Sequence, residues 1–131
     1  MKITYCINVR SLVLVVLCAV ASQICHAEEF GTSLFPTKFQ YYRYSDGHIV
    51  DQRTVSHGDH VYDALIAFFR SHRTSWSADV TTYAPLVYFK SRYLTVNCRD
   101  DEVIVNYKDM KSGRWRQLSN NVAGCAKALL K

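Results

Sequence analysis

The sequence predicts an α+β fold: an antiparallel sheet, built from an N-terminal hairpin plus a C-terminal meander, with one long helix packed on one face and a short C-terminal helix. Three patterns predict this fold class. They are a tight-turn hairpin over residues 39–55, one amphipathic helix over residues 57–72, and a succession of short strands over residues 83–118.

The hairpin is predicted from two extended segments, FQYYRY and IVDQRTV, that flank Asp46 and Gly47. Glycine tolerates the positive φ that a tight turn requires, so the two strands should pair antiparallel. Aromatic residues occupy both alternate sets of positions in the first segment. At least one of these rings should therefore stay partly exposed.

The long helix is predicted to begin after Ser56, which can act as the N-cap with Asp59 three residues on, and to end near His72. One stripe of this helix collects the apolar side chains of Val61, Ala64, Leu65, Phe68 and Phe69. That stripe must be buried, and the opposite, polar side can face water, as in a helix that lies across a sheet.

The meander is predicted from four segments: TYAPLVYFKS, RYLTVNC, EVIVNY and GRWRQLS. Apolar and polar side chains alternate in the second and third segments, so one face of the meander is apolar. Arg114, Trp115 and Arg116 should direct basic and aromatic side chains to opposite faces. Residues 122–130 are predicted to form the short terminal helix, residues 28–38 an irregular lead-in, and residues 73–80 a polar link that contains Trp76.

Residues 1–27 have the pattern of a signal peptide, which leaves residues 28–131 as a single domain. Lys2 and Arg10 supply the positive start, residues 11–22 are apolar, and small residues end at Ala27. The alternative, a transmembrane anchor, would need roughly 20 apolar residues. We therefore expect cleavage after Ala27, no membrane span in the mature chain, and a periplasmic or secreted protein.

Removal of the leader would leave Cys98 and Cys125 as the two cysteines of a mature chain of about 104 residues. An even number of cysteines in an exported protein predicts a disulfide, which would pin the terminal helix to the sheet. The alternative is two separate buried thiols.

The charge and the motifs of the chain exclude few function classes but favour a non-enzymatic protein. The formal net charge of +5 falls to about +3 without the leader, which is too small to predict nucleic-acid binding without a focused basic patch. Serine-nucleophile signatures, phosphate-binding glycine loops and paired metal-binding cysteine motifs do not occur. We expect no cofactor and no metal.

Histidines offer the one alternative with catalytic chemistry. His57 and His60 lie three residues apart at the predicted helix start, and His48 lies on the hairpin. A metal site is not expected, because the spacing fixes no third ligand. A small secreted hydrolase or nuclease could use His48, His57 or His60 with a lysine such as Lys90, although no motif supports it.

The second half of the chain interleaves basic and aromatic residues, which are typical of protein interfaces. We predict binding contacts at Tyr88, Arg92, Tyr93, Arg114, Trp115 and Arg116. The sequence thus favours an exported protein that binds another protein, such as an inhibitor or immunity protein acting on an envelope or secreted enzyme or toxin. A module that binds polyanionic envelope polymers is an alternative, and an ordinary solvated sheet face is the simplest one.

Overall fold

The computed structural model describes residues 29–78 and 84–131; the predicted leader lies outside them. Within these residues, seven strands form one antiparallel sheet, and two helices accompany it, which confirms the predicted α+β fold. The strand order is β2-β1-β4-β5-β6-β7-β3. The elements are a 3₁₀ turn (Thr32–Leu34), β1 (Lys38–Ser45), β2 (His48–Ser56), α1 (His60–Ser71), β3 (Ser77–Ala78), β4 (Val87–Lys90), β5 (Leu94–Cys98), β6 (Val103–Lys108), β7 (Trp115–Asn120) and α2 (Cys125–Leu129).

The N-terminal hairpin is confirmed, with β1 and β2 joined through a two-residue turn. Both turn residues have positive φ, 50° at Asp46 and 77° at Gly47, as such a turn requires. The register between the strands shifts after Arg43, where β2 contains one extra residue. Phe39 and Tyr41 of β1 are buried, whereas Tyr42 is only half-buried, in agreement with the predicted exposure of part of this aromatic set.

The start of α1 was predicted wrongly. Asp59, and not Ser56, is the N-cap: its side chain accepts a hydrogen bond of 2.9 Å from the Val61 N–H. Gly58 has a φ of 91°, which a right-handed helix cannot contain, so the helix cannot begin before Asp59. Arg53 of β2 also contacts the cap, with its Nη1 atom 2.6 Å from the Asp59 carboxylate.

The core lies between α1 and one face of the sheet. The predicted stripe of α1 is buried there, with Leu65 and Phe69 fully inaccessible. Tyr62 joins it: its ring lies 6.2 Å from the Phe39 ring, and its hydroxyl donates a 2.7 Å hydrogen bond to the Pro36 carbonyl oxygen. Each such side chain contributes about 1.5 to 3 kcal/mol of transfer free energy on burial, so this helix face holds the sheet in place.

The polar link after α1 contains a core residue that the sequence did not reveal. Trp76 is fully buried, stacks on Phe69 at 5.4 Å between ring centroids, and donates a 2.9 Å hydrogen bond from its Nε1 atom to the His72 carbonyl oxygen. The two residues after it form β3, an edge strand beside β7 that was not predicted. A lone aromatic residue in a polar segment has no periodicity from which its burial could be inferred.

The lead-in to the sheet is also more ordered than predicted. It contains a 3₁₀ turn and carries Phe30 into the core, where the Phe30 ring lies 5.4 Å from both the Trp76 and Tyr107 rings. The Phe30 N–H donates a 2.9 Å hydrogen bond to the Arg73 carbonyl oxygen, and Arg73 also pairs with Glu29. This segment therefore closes one side of the core.

The four predicted strands of the meander are confirmed as β4 to β7, followed by α2. Cys98 ends β5 and Cys125 begins α2; their Cα atoms lie 5.6 Å apart, and the two residues form the predicted disulfide. Two backbone hydrogen bonds, from the N–H groups of Gly124 and Ala126 to the carbonyl oxygens of Asp100 and Arg99, hold α2 against the β5–β6 turn beside this bond.

The disulfide should supply a large part of the stability. Reduction opens a loop that spans a sequence separation of 27. In the chain-entropy account this lowers the free energy of unfolding by roughly 3 to 4 kcal/mol. Urea denaturation with and without reductant measures the loss. The Cys98→Ala/Cys125→Ala variant is the control, because its stability should not respond to reductant; a wild-type curve that is equally insensitive would contradict the prediction.

The N-cap assignment makes a second prediction. Asp59→Ala should lower the free energy of unfolding by about 1 kcal/mol or more, because it removes both the cap acceptor and the partner of Arg53. Asp59→Asn keeps the acceptor and should lose less. Ser56→Ala should change stability by less than about 0.5 kcal/mol. Thermal or urea unfolding of the three variants checks this order, which reverses if Ser56 is the cap.

Candidate functional site

The strand registers divide the meander into a face covered by helices and a face that we call the open face. Directly paired residues of antiparallel strands share a face. Phe89, Val96 and Val105 therefore lie with Phe39 on the helix-covered face. The open face carries three parallel rows that run across the strands. They are Tyr42-Tyr88-Asn97-Ile104-Ser119, then Gln40-Lys90-Thr95-Asn106-Gln117, then Tyr93-Lys108-Trp115.

The third row lies at the end of the sheet where two turns meet. The β4–β5 turn (residues 91–93) and the β6–β7 turn (residues 109–114) are neighbours there, and the Lys108 N–H donates a 2.9 Å hydrogen bond to the Tyr93 carbonyl oxygen. We call residues 90–93 and 108–116 the basic end. It brings together five of the six predicted contact residues, Arg92, Tyr93, Arg114, Trp115 and Arg116.

Both turns of the basic end are braced by hydrogen bonds. Asp109 organises the β6–β7 turn: its carboxylate accepts from the Lys111 N–H at 2.9 Å and from the Ser112 hydroxyl at 2.8 Å. The Ser91 hydroxyl bridges the backbone of Leu94 in the β4–β5 turn. These bonds fix the backbone of both turns, so the side chains on them start from a defined position.

Positive charge is concentrated at the basic end. Six cations lie within it, Lys90, Arg92, Lys108, Lys111, Arg114 and Arg116, and Lys38 at the start of β1 is at the same end of the sheet. Asp109 is the single carboxylate of residues 90–93 and 108–116. The hydrogen bond from the Lys111 N–H, followed by that from Ser112, lowers the pKa of Asp109. The turns at the opposite end carry Asp46, Asp100, Asp101 and Glu102.

The basic end also exposes large apolar side chains. Tyr93 is 41% exposed, Trp115 55% and Met110 71%, whereas most aromatic residues of the described chain are buried or half-buried. The Arg92 guanidinium lies 5.1 Å from the centre of the Tyr93 ring, within the range of a cation–π contact. Exposed rings next to arginines are common at the centres of protein interfaces.

One predicted contact residue lies elsewhere. Tyr88 is in the first row, roughly 13 Å along the strand from the third row, and its half-buried ring pairs with Tyr42 at 6.0 Å. The same row ends in Ile104 and Ser119, which are 2% and 6% exposed, so its β6–β7 part is not accessible. The alternation predicted for the last strand holds: Trp115 lies on the open face, and the Arg116 guanidinium lies 5.8 Å from the Tyr107 ring on the other.

The sequence missed Met110, which belongs to the basic end, and Lys38, which lies beside it. Met110 is an isolated apolar residue in a polar turn, and this contrast was the one signal available. Lys38 reaches the basic end through the pairing of β1 with β4, which is a long-range contact without a local sequence signal. Arg99 is another basic residue of the meander sequence, but it lies at the opposite end of the sheet. There its Nε atom is 3.8 Å from the Asp101 Oδ1 atom.

The histidines do not form one site. His48 begins β2 and His57 follows its last residue, so an extended strand of roughly 30 Å separates them. The His57 Nδ1 atom lies 2.9 Å from the Asp63 Oδ1 atom, and the His60 Nδ1 atom lies 3.7 Å from the Asp59 Oδ1 atom. His57 and Asp63 line a cleft of about 470 Å³ between the 3₁₀ turn and α1, together with Arg70.

The described residues contain no group of three or more His, Cys, Asp or Glu side chains placed to hold a metal ion. In residues 29–78 and 84–131, no helix is both long and apolar enough to cross a bilayer.

The contact of His57 with Asp63 makes a pH prediction. The hydrogen bond between the His57 and Asp63 side chains lowers the pKa of the Asp63 carboxyl group, and the hydrogen bond from the Gly58 N–H makes a smaller contribution. This hydrogen bond stabilises the folded state fully above the ordinary Asp63 pKa of 3.8. The stabilisation is lost as the pH falls through the lowered pKa. An NMR titration should show the Asp63 pKa move back up in His57→Gln. Asp109 is the control, because its lowered pKa has another cause and should not change.

No protein-family model matches this chain, and no curated protein or solved structure is significantly similar to it.

Proposed function

We propose that this chain is a non-enzymatic protein that binds an acidic surface of another protein through its basic end. The observation that carries the proposal is the coincidence, at the basic end, of exposed Tyr93 and Trp115 with six cations and a single carboxylate. Aromatic residues bury large areas at small entropic cost, and arginines pair with carboxylates through two parallel hydrogen bonds.

Charge complementarity indicates the kind of partner surface that the basic end would bind. Asp109 carries a single negative charge, which the six cations of the basic end outnumber, so this surface is positive overall. A partner with carboxylates around an apolar depression would pair with the arginines and receive the Trp115 side chain. The positive field would also speed the encounter at low ionic strength.

A finer version of the proposal is an exported inhibitor or immunity protein that covers the active site of an envelope or secreted enzyme or toxin. It rests on the predicted leader and on the Cys98–Cys125 disulfide, a bond that persists in oxidising compartments. An inhibitor of this kind needs a rigid, complementary surface and no catalytic group, and the hydrogen-bonded turns supply rigidity.

Polyanion binding is the second candidate, favoured by the number of cations at the basic end. Such binding would depend mainly on charge and would weaken steeply with salt. A hydrolase or nuclease has less support, because His48 lies at the far end of β2 from His57.

The basic end should dominate affinity for the partner. Trp115→Ala combined with Arg114→Ala should weaken binding by roughly tenfold or more, since tryptophan and arginine are the commonest residues with large interface contributions. The partner is captured from envelope extract with the purified, oxidised chain and identified by mass spectrometry, and its binding is then measured by calorimetry. Leu130→Ala is a matched control, because Leu130 is 48% exposed directly after α2, which lies against the β5–β6 turn at the opposite end of the sheet.

Salt separates the two candidates. Binding centred on Trp115 should weaken clearly in Trp115→Ala and only moderately with salt, because part of the affinity is apolar, whereas polyanion binding should survive Trp115→Ala and fall steeply as salt increases. Full affinity for the protein partner in the Trp115→Ala/Arg114→Ala variant would remove the basic end from the protein-binding candidate.

A further inference from the structure

The two edges of the sheet differ in length and in protection. Beyond β7 lies β3, an edge strand of two residues, whereas the other edge is β2, which has nine. No described strand or helix pairs with the outer side of β2. Edge strands are usually shortened or interrupted by lysine or proline, because their unpaired N–H and C=O groups can pair with another chain. The sequence of β2, HIVDQRTVS, contains neither residue; its interruptions are the charged residues Asp51 and Arg53 and the extra residue Val50.

We propose that two copies of the chain pair through β2 to form one continuous antiparallel sheet. Ile49 and Val50, which are both 50% exposed, would lose solvent contact in this arrangement. Two-fold pairing is isologous, so each copy uses the same strand, and no other partner is needed to satisfy the edge.

The charges of β2 select the register. Asp51 and Arg53 flank Gln52, so a two-fold axis through Gln52 places each Asp51 opposite an Arg53 of the other copy. Axes through Asp51 or through Arg53 would instead place like charges opposite each other, which is destabilising. Both side chains are accessible, at 36% and 38%, and within one copy the Arg53 Nε atom already lies 3.5 Å from the Asp51 carboxylate. Arg53 would thus add a carboxylate from the second copy to its contacts with Asp59 and Asp51 of its own chain.

The irregularity in the hairpin limits the pairing but does not prevent it. The register shift places Val50 outside the regular ladder with β1, whereas Asp51, Gln52 and Arg53 lie within the regular part. The central pairs of the proposed interface are therefore unaffected. A perpendicular two-fold axis would put both open faces on one side of the joint sheet and the two basic ends at opposite poles.

Cross-linking tests the register. Across the axis, the Cα atoms of the two Gln52 residues would be about 4.5 to 5.5 Å apart, a distance that a disulfide can bridge. Gln52→Cys should therefore form a covalent dimer on mild oxidation. Thr54→Cys is the control: it lies on the same exposed face, yet its two copies would be displaced by about 13 Å along the strands and should not cross-link.

Sedimentation equilibrium of the purified, oxidised chain tests the association itself. The wild type should pass from monomer to dimer over about a hundredfold range of concentration. Val50→Lys should remain monomeric at concentrations where the wild type is dimeric. Leu34→Lys is the control, because Leu34 is 40% exposed but lies far from β2 in the chain and outside the sheet.

Three outcomes would overturn the proposal. They are a wild type that is monomeric throughout, a dimer that Val50→Lys leaves intact, and cross-linking of Thr54→Cys that equals that of Gln52→Cys. None of these measurements depends on the basic end, so they leave the proposed partner-binding function untouched.

Discussion

The pairing of β1 with β4 makes one structure out of two local ones. The hairpin of β1 and β2 and the meander of β4 to β7 each follow from neighbouring residues, but the four residue pairs from Gln40–Lys90 to Arg43–Val87 join them into a single sheet. This junction places the Phe39 and Phe89 rings 5.7 Å apart beneath α1. The core, the two faces and the position of the basic end all depend on it.

Local patterns predicted the elements well because each has a local physical cause. Asp46 and Gly47 adopt the positive φ that the tight turn needs, and the apolar stripe of α1 is buried because a helix on a sheet has one dry side. The disulfide was predicted from the even number of cysteines that predicted export would leave in the mature chain. The helix start was wrong because Ser56 and Asp59 are both good caps, and the choice between them depends on Gly58, whose left-handed conformation the sequence alone does not fix.

What the sequence could not predict arises from contacts between distant segments. Trp76 and Phe30 are buried against each other and against Phe69, although each stands alone among polar or irregular neighbours. The candidate surface was predictable in part: alternate turns of a meander fall at the same end of the sheet, which unites Arg92 with Trp115. Tyr88 was included on composition, and the register places it in another row.

The separation of charge along the strands gives the molecule an electric dipole roughly parallel to the sheet. Cations of the β4–β5 and β6–β7 turns form its positive pole, and the carboxylates of the β1–β2 and β5–β6 turns form its negative pole. In the field of an anionic body, such a molecule experiences a torque before any contact is made. Such a molecule would approach with Trp115 facing the anionic body. This would reduce the orientational constraint that usually slows association.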